Sequence, residues 1–310
     1  MRFDLVGVPY TSMAAGGGIA RAIDVLRLAG LVERLQAAGE VHDAGDLDLV
    51  EGDGQHGASG LLNEAALARL VVATRSAVAS SHDRERLPLL VGGDCPVLLG
   101  ALAATRERHG ACALMLVDGH EDAWPPRRSP TGEASDSEVA LALGLVEEAL
   151  PEPLDQMVPL LAPNAVAMLG PRDRREIEEA GVSSLDGTVA LFRDDETVRA
   201  AGTSASAREA AAVIAGGARA FWLHLDLDVL STAELAAVDY PQPGGLTWHE
   251  LREIAATALT APGCAGASIV IYNPDRDDDG AGAERIVRFA ADLVASASAQ
   301  QARSPRPSAR

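Results

Sequence analysis

The sequence predicts a single α/β domain built on a mainly parallel β-sheet, with helices covering both faces. Short apolar runs alternate with longer stretches of helical spacing, and a parallel sheet buried on both faces produces this pattern. With 310 residues, 47% of them hydrophobic, the chain is long enough for one large core. No Pro-, Gly- or Ser-rich linker divides it, so one domain is the simpler interpretation.

Six apolar runs are predicted to be buried strands, because each is short and is bounded by polar or turn-forming residues. In chain order they are Phe3–Val8, Leu87–Val91, Ala113–Val117, Ala165–Leu169, Ala220–Leu225 and Ala267–Tyr272.

Eight stretches between and after these runs carry helical spacing. They are Ile19–Ala38, Leu61–Ser80, Pro96–His109, Ser137–Leu150, Arg174–Ala180, Ser206–Gly216, Thr247–Ala258 and Gly282–Ser298. Thr247 is followed by Glu250 three residues later, which is typical of a capping box at the start of a helix.

We expect residues 1–296 to form this domain and residues 297–310 to form a disordered tail. The final segment consists mostly of Ala, Ser, Gln, Pro and Arg and has no apolar periodicity. It contains Arg303, Arg306 and Arg310 but no acid, so the acidity of the chain belongs to the domain.

The charge of the chain restricts the classes of function. It has 26 basic and 45 acidic residues, a net charge of −19, and all 26 basic residues are arginine. Without lysine there is no Schiff-base lysine and no phosphate-binding P-loop lysine. An acidic chain repels nucleic acid and anionic lipid, so we expect neither partner. A cationic substrate or a metal ion is favoured instead.

The cysteines and the apolar runs indicate the compartment. The three cysteines are far apart, and the chain opens on a strand pattern instead of a signal peptide, so we expect the reducing cytoplasm. No run is apolar for the eighteen or so residues that a membrane helix needs. A homo-oligomer is compatible with the sequence, as is a monomer.

Three segments place polar groups directly after a predicted strand, where open α/β sheets form their ligand crevice. They are Leu90–Pro96, Leu116–Asp122 and Trp222–Asp228. Asp118, His120 and Asp122 alternate and would project to one side of an extended chain, and Asp226 and Asp228 repeat that spacing. One such stretch alone is often a solvated loop. Their joint occurrence predicts a dinuclear metal site, because carboxylates that converge need a cation.

These motifs resemble those of the ureohydrolases, the arginase and agmatinase family. Gly92–Cys95 is similar to the family's GGDH element, Asp118–Asp122 to DAHxD and His224–Asp228 to SxDxD. Gly16–Leu31 resembles the amino-terminal helix of the family and Thr131–Glu133 its SGN segment, while Pro243–Thr247 matches its PGGLT segment. The resemblance covers nearly the whole chain.

The resemblance implies a three-layer αβα sandwich with two Mn²⁺ ions. One ion would be held by Cys95, Asp118, Asp122 and Asp226, and the other by His120, Asp118, Asp226 and Asp228. Carboxylate and imidazole ligands suit Mn²⁺. Two dications acidify a bridging water, whose hydroxide can attack a guanidinium or amidine carbon. Asp122 would orient that hydroxide and pass its proton to the departing amine. Asp94 and His224 would support the ligands or serve only as structural hydrogen-bond partners.

Cys95 departs from the family because it stands where a metal-binding histidine is usual. It leaves three outcomes: ligation of manganese, a preference for a softer metal such as zinc or iron, or no ligation. We expect ligation. A cysteine here also resembles the branch that hydrolyses Nω-hydroxy-L-arginine to hydroxyurea and ornithine.

The substrate contacts depart further. Ser135 aligns with a family histidine, Ile271 with the acid that grips the guanidinium, and Arg175 with the acid that recognises the amino group. The nearest replacements are Glu133 and Asp136, with Asp275–Asp279 at the pocket mouth. We expect the catalytic residues to be Asp122, Glu133 and Ser135. Four arginines are either solvated or meet a substrate carboxylate: Arg127, Arg128, Arg172 and Arg175.

Three functions remain open at this stage. The first is a manganese-dependent hydrolase that cleaves a C–N bond of a small guanidino or amidino compound. The second is a formimino or other amidohydrolase on the same scaffold, because Ile271 removes the guanidinium anchor. The third is a catalytically silent binding protein.

Overall fold

The computed structural model describes residues 1–13 and 17–303. Eight strands form its central sheet: β1 (Arg2–Gly7), β2 (Glu40–Asp46), β3 (Leu87–Val91), β4 (Ala113–Val117), β5 (Val166–Gly170), β6 (Leu191–Asp194), β7 (Phe221–Asp226) and β8 (Cys264–Val270). The α-helices of the described residues are α1 (Ala22–Leu28), α2 (Leu31–Ala38), α3 (Glu64–Asp83), α4 (Val97–His109), α5 (Glu138–Leu143), α6 (Leu154–Met157), α7 (Arg174–Glu179), α8 (Asp195–Ala201), α9 (Thr203–Ile214), α10 (Trp248–Leu259) and α11 (Ala281–Arg303).

The sheet confirms the predicted α/β class. Its strand order is β2-β1-β3-β8-β7-β4-β5-β6, and every neighbouring pair is parallel. Helices cover both sides of it, which gives the expected three-layer αβα arrangement. Because all strands run in one direction, every carboxyl end lies at the same edge of the sheet.

The six predicted strands are present, whereas β2 and β6 are absent from the prediction. Both missed strands are the outer strands of the sheet. Side chains of β2 alternate between exposed and half-buried, and no residue of β6 is buried. An apolar run therefore does not mark either strand, since each has a face open to solvent.

Several predicted helices have different bounds. The stretch Ile19–Ala38 is divided by Gly30, whose φ of 86° ends α1 and precedes α2. The stretch Ser137–Leu150 forms only α5, which stops at Gly144 with a φ of 71°. Helices α6 and α8 lie where no helix was predicted. The predicted strand ending at Tyr272 instead ends at Val270.

The last helix continues beyond the expected end of the domain. We expected a tail from residue 297, but α11 runs to Arg303, and Ala297 is buried. Residues 304–310 of the predicted tail, with Arg306 and Arg310, lie outside the described residues, as does Gly16 of the amino-terminal motif.

Small residues let the helices pack closely, as at the contact of α3 with α4. A Cβ atom on Gly100 of α4 would lie 2.6 Å from the carbonyl oxygen of Val71 in α3. Only glycine permits this crossing distance. Among the described residues, no helix is long and apolar enough to cross a membrane.

Candidate active site

The three polar segments meet at the carboxyl edge of the sheet. Strands β3, β7 and β4 end at Val91, Asp226 and Val117, and β8 lies between β3 and β7. The chain leaves β3, crosses two strands and returns at β4, which creates a switch point where such sheets form their ligand crevice. The three segments therefore converge in the structure, as the sequence predicts.

The loop after β3 turns sharply to bring Cys95 over the sheet. Gly93 has a φ of 70°, and a Cβ atom there would lie 2.6 Å from the carbonyl oxygen of Val8. Asp94 then holds the loop, because its carboxylate accepts hydrogen bonds from the backbone N–H groups of Ser12 (2.6 Å) and Cys95 (2.9 Å). Asp94 therefore fixes the position of the Cys95 backbone.

The six ligands that the sequence predicted form two groups that share Asp118. In the first, which we call the Cys95 cluster, one donor atom from each of four residues lies within 4.8 Å of the others: Cys95, Asp118, Asp122 and Asp226. In the second, the His120 cluster, the same holds for Asp118, His120 and Asp228. The grouping follows the division into two ions that the family resemblance implies, except that Asp226 falls in the first group only.

Hydrogen bonds connect the donors. His120 Nδ1 lies 2.9 Å from Asp228 Oδ2, and the other oxygen of Asp228 accepts from Gly119 N–H at 3.0 Å. Asp226 Oδ1 accepts from Asp228 N–H at 2.7 Å, and the Cys95 thiol donates to Asp226 Oδ2 at 2.8 Å. The geometry of the carboxylates is therefore fixed by the backbone of the strand ends.

The electrostatics of the clusters favour cations. Burial, and then the charges of neighbouring acids, raises the pKa of Asp118, Asp122 and Asp226 well above the usual value. Asp118 Oδ2 is buried and has no hydrogen-bond partner within residues 1–13 and 17–303. Carboxylates in such a setting require a compensating charge. A pair of divalent cations fits this donor set of oxygen, nitrogen and sulfur atoms.

The carboxylates of the clusters also shift the pKa of His120. Burial alone would lower its pKa, but the carboxylates of Asp228 and Asp118 outweigh burial and raise the pKa to about 10. Burial raises the pKa of Asp228, but the charge and hydrogen bond of His120 outweigh it and hold the pKa below the usual value. A bound cation would displace the imidazole proton, because histidine ligates in its neutral form.

His224 lies beneath the Cys95 cluster in β7. Its Nδ1 lies 2.7 Å from Ser268 Oγ in β8, and Ser268 Oγ also accepts a hydrogen bond from Trp222 Nε1 at 3.1 Å. His224 Nε2 is buried and unpaired in the described part of the chain. Burial lowers the pKa of His224 to about 3, so its ring is neutral.

A cavity of about 480 Å³ opens above the clusters. Besides cluster residues, its lining includes the predicted Glu133 and Ser135, together with Asp136 and Ile271. Asp136 is already engaged, since the hydroxyl of Thr131 donates to it at 2.7 Å.

Glu133 has a distinctive environment. Burial, followed by the charges of Asp94 and Asp136, raises its pKa to about 7, although a hydrogen bond from Tyr240 acts in the opposite direction. Tyr240 Oη donates to both carboxylate oxygens at 3.2 Å. Glu133 therefore changes its charge near neutral pH.

Two cavity residues have a left-handed backbone conformation. Asp122 has a φ of 47° and Ile271 a φ of 65°. Aspartate tolerates this region, but for a β-branched residue it costs on the order of 1–3 kcal/mol. The Ile271 N–H donates to the Gly93 carbonyl at 2.9 Å, which holds the loop after β8 against the loop that carries Cys95.

The other sequence candidates are held by contacts outside the cavity. Arg172 donates to the carbonyls of Asp228 and Val229, and Arg175 pairs with Glu179. Arg127 and Arg128 donate to backbone carbonyls of Ala58, Ala180 and Gly181. Within the described residues, the cavity lining includes neither these arginines nor the acidic run Asp275–Asp279.

Four ionisable residues of the cavity lining were not predicted from the sequence. They are Asp173, Glu176, Asp239 and Tyr240. Asp173 and Glu176 follow β5, so their position after a buried strand was the signal that could have identified them. Tyr240 and Asp239 lie in a loop between β7 and α10 and carry no local signal.

Comparisons with known proteins agree with this geometry. A model of the Arginase family matches residues 2–299. The arginase of Bacillus caldovelox is 27% identical over 277 residues, covering 88% of this chain and 91% of that protein. The solved structure of that arginase matches with a TM-score of 0.79 at 26% identity, over 96% of this chain and 98% of the other.

A second solved structure, formimidoylglutamase from Bacillus subtilis, shares the fold at 17% identity with a TM-score of 0.74, over 96% of this chain and 87% of that one. The family match spans nearly the whole chain and includes every residue of the two clusters. The chain therefore belongs to the arginase family and is a hydrolase of that family.

Proposed function

We propose that this protein hydrolyses the guanidino group of Nω-hydroxy-L-arginine and releases hydroxyurea and L-ornithine. The observation that carries the proposal is the combination of two acidic clusters with a cavity that presents Ile271. In the ureohydrolase motif that aligns with this position, an acid binds the guanidinium.

The chemistry of the substrate fits these residues. The N-hydroxyl group withdraws electrons and lowers the basicity of the guanidino group, so the group does not need the charge of an acid opposite it. Ile271 is apolar and accepts a neutral group. Ser135 presents a hydroxyl that both donates and accepts hydrogen bonds, which suits an N–OH group.

We propose Mn²⁺ as the metal, because four carboxylates and an imidazole are hard or intermediate ligands. Two bound ions supply a water acidic enough to deliver hydroxide near neutral pH. Water adds to the guanidino carbon, the bond from this carbon to the ornithine nitrogen breaks, and the departing amine takes a proton. Asp122 orients the attacking water and carries its proton to that nitrogen.

The rest of the cavity suits the amino-acid end of the substrate. The lining includes Glu133, Asp173, Glu176 and Asp239. Carboxylates in a cleft attract a cationic α-ammonium group and bind it by charge-assisted hydrogen bonds. We place the reaction in the cytoplasm, where the three free thiols of the chain persist.

A substrate panel tests the proposal. The Mn²⁺-loaded protein is incubated with Nω-hydroxy-L-arginine, L-arginine, agmatine and 4-guanidinobutyrate, and products are measured by mass spectrometry. We expect hydroxyurea and ornithine in equal amounts, with slower turnover of the three unmodified guanidines. Faster turnover of L-arginine would overturn the substrate assignment, and no turnover of any guanidine, with metal bound, would overturn the reaction class.

A second candidate is hydrolysis of a formimino compound. Ile271 is the observation that favours it, because the acid that binds a guanidinium in the related motif is missing here. Release of formamide from N-formimino-L-glutamate, with the guanidines inert, would select this function. The acidic lining makes it the weaker candidate, because that substrate carries two carboxylates that Glu133 and Asp173 would repel.

A further inference from the structure

The Cys95 cluster has a histidine beside it that its four members do not include. A ring nitrogen of His224, the Cys95 thiol and a carboxylate oxygen of Asp118 all lie within 4.8 Å of one another. His224 is fully buried, with no solvent-exposed surface. A buried imidazole at this distance from a thiol and a carboxylate has the spacing of a metal ligand.

The free nitrogen is Nε2, because Ser268 occupies Nδ1. Ser268 Oγ has two lone pairs and accepts from Trp222 Nε1–H at 3.1 Å, which leaves a lone pair for His224 Nδ1–H at 2.7 Å. With the proton on Nδ1, Nε2 presents a lone pair. Ligating histidines commonly donate their second N–H in this way, which fixes the ring.

His224 Nε2 also has no other use in the described part of the chain. It is buried and no described residue hydrogen-bonds to it. Buried polar atoms of native proteins are nearly always paired, so an unpaired one requires an explanation. A cation in the Cys95 cluster supplies that explanation, and supplies one for the unpaired Asp118 Oδ2 as well.

We propose that His224 is a metal ligand of the Cys95 cluster and binds through Nε2. The chain carries cysteine where the family pattern has a ligating histidine, and histidine where the SxDxD pattern has a small hydroxyl residue. This chain therefore places an imidazole in β7, whereas the family pattern places one in the loop after β3. The inference rests on the metal centre of the proposed function but not on its substrate.

The main test removes the imidazole and measures metal without substrate. His224→Ser restores the small hydroxyl of the related motif. After dialysis, we expect the wild-type chain to retain two equivalents of Mn²⁺ and the variant about one. Loss of a hydrogen-bond partner of a ligand lowers metal affinity by roughly 10- to 100-fold. Loss of the ligand itself should lower the affinity for the second ion by more than this.

Two matched variants separate ligation from packing. Ser268→Ala keeps His224 but removes its Nδ1 partner, so we expect the affinity to fall by roughly 10- to 100-fold. His82→Gln alters another buried histidine, whose Nε2 lies 2.8 Å from the carbonyl oxygen of Ala265, and should keep both ions. Thermal unfolding of each metal-free variant establishes that the chains are folded.

Spectroscopy of bound Mn²⁺ keeps the proposal testable if His224→Ser fails to fold. Electron spin-echo modulation of Mn²⁺ in protein labelled with ¹⁵N-histidine reports ligating imidazoles. In the His120→Asn variant we expect the histidine signal to persist, because His224 remains. Loss of that signal in His120→Asn, or an unchanged signal and two ions in His224→Ser, would overturn the proposal.

These outcomes are independent of the proposed function. A chain that binds metal through His224 but hydrolyses no guanidine would contradict the function alone. A chain that produces hydroxyurea while His224→Ser retains both ions would contradict the ligand assignment alone.

Discussion

The base of the cavity and its wall differ in how tightly they are built. The base consists of the donors at the ends of β3, β4 and β7, all of them buried except the half-buried His120, and is tied together by short hydrogen bonds. The wall consists of Glu133, Tyr240 and Ile271, which lie in loops, and Ser135, which lies in a single turn of 3₁₀ helix.

The two regions also differ in their agreement with the family pattern. The base matches its motifs at the carboxylates, whereas the wall departs at Ser135 and Ile271. A loop side chain can change without disturbing the sheet, but a strand-end carboxylate is held by the backbone of its neighbours. We therefore expect the base to determine the class of reaction and the wall to determine the choice of substrate, and four variants test this division.

The largest effect is expected for Asp122→Asn in the base. An amide has the shape of the carboxylate but can neither accept the proton of the attacking water nor pass it on, so kcat should fall by about 10²- to 10⁴-fold. Steady-state production of ornithine measures the loss, and circular dichroism checks the fold. Turnover at the wild-type rate would refute this role of Asp122.

Ile271→Glu in the wall should change the choice of substrate. A carboxylate facing the guanidino group stabilises a guanidinium, so the ratio of kcat/KM for L-arginine to that for Nω-hydroxy-L-arginine should rise by about tenfold or more, equivalent to ~1.4 kcal/mol. Ile271→Gln is the matched control, with equal length and no charge. Equal ratios in the two variants would remove the electrostatic explanation.

Glu133→Gln should alter the pH dependence of kcat/KM. The pKa of Glu133 is about 7, and the groups that face it are Asp94, Asp136, Asp239 and Tyr240. The carboxylate form attracts a cationic substrate, so wild-type kcat/KM should rise as pH increases through about 7. The variant should lack this rise, and its persistence there would assign it to another group.

The thermal stability of the same variant is a second test of the raised pKa of Glu133. Its pKa in the folded chain is raised above the usual value, so the folded state binds the proton more tightly. Wild-type stability therefore falls as the pH rises from the usual glutamate pKa of 4.5 to about 7, because the unfolded chain ionises first. The Tm of Glu133→Gln relative to wild type should increase over this interval, and a pH-independent difference would contradict the assignment.

The smallest effect is expected for Tyr240→Phe. The Tyr240 hydrogen bond lowers the pKa of Glu133. Its loss should move the rise in kcat/KM to higher pH while leaving the maximum rate nearly unchanged. An unshifted profile would show that Tyr240 does not control the ionisation of Glu133.

The buried part of the molecule could be predicted from the sequence. Strands β3, β4 and β7 are apolar runs that end in polar residues, so both the strands and the convergence of Asp118, Asp226 and Asp228 followed from local patterns. Strand β2 was missed because an outer strand with the sequence EVHDAGD resembles a solvated loop. Gly30 interrupts a continuous helical spacing that periodicity alone cannot divide.

The wall could be predicted only in part. Glu133 and Ser135 lie beside a recognisable motif. Tyr240, by contrast, contacts Glu133 from a loop that follows it by 107 positions in the sequence. Such a contact depends on how two loops are placed by the finished sheet. The contact of His224 with Ser268 is similar, because it depends on the pairing of β7 with β8.

The sharing of donors among distant segments couples the metal to the stability of the whole chain. Cys95 and Asp226 are separated by 131 positions, and Gly119 and Asp228 by 109. No short segment holds a complete cluster, so an unfolded chain offers the ions little affinity. An ion bound in a cluster would therefore stabilise the complete fold by mass action, and a free metal ion at 100 times its Kd would contribute about 2.7 kcal/mol. Ions bound there would cross-link the two halves of the sheet reversibly, and their removal by a chelator should expose the chain to proteolysis.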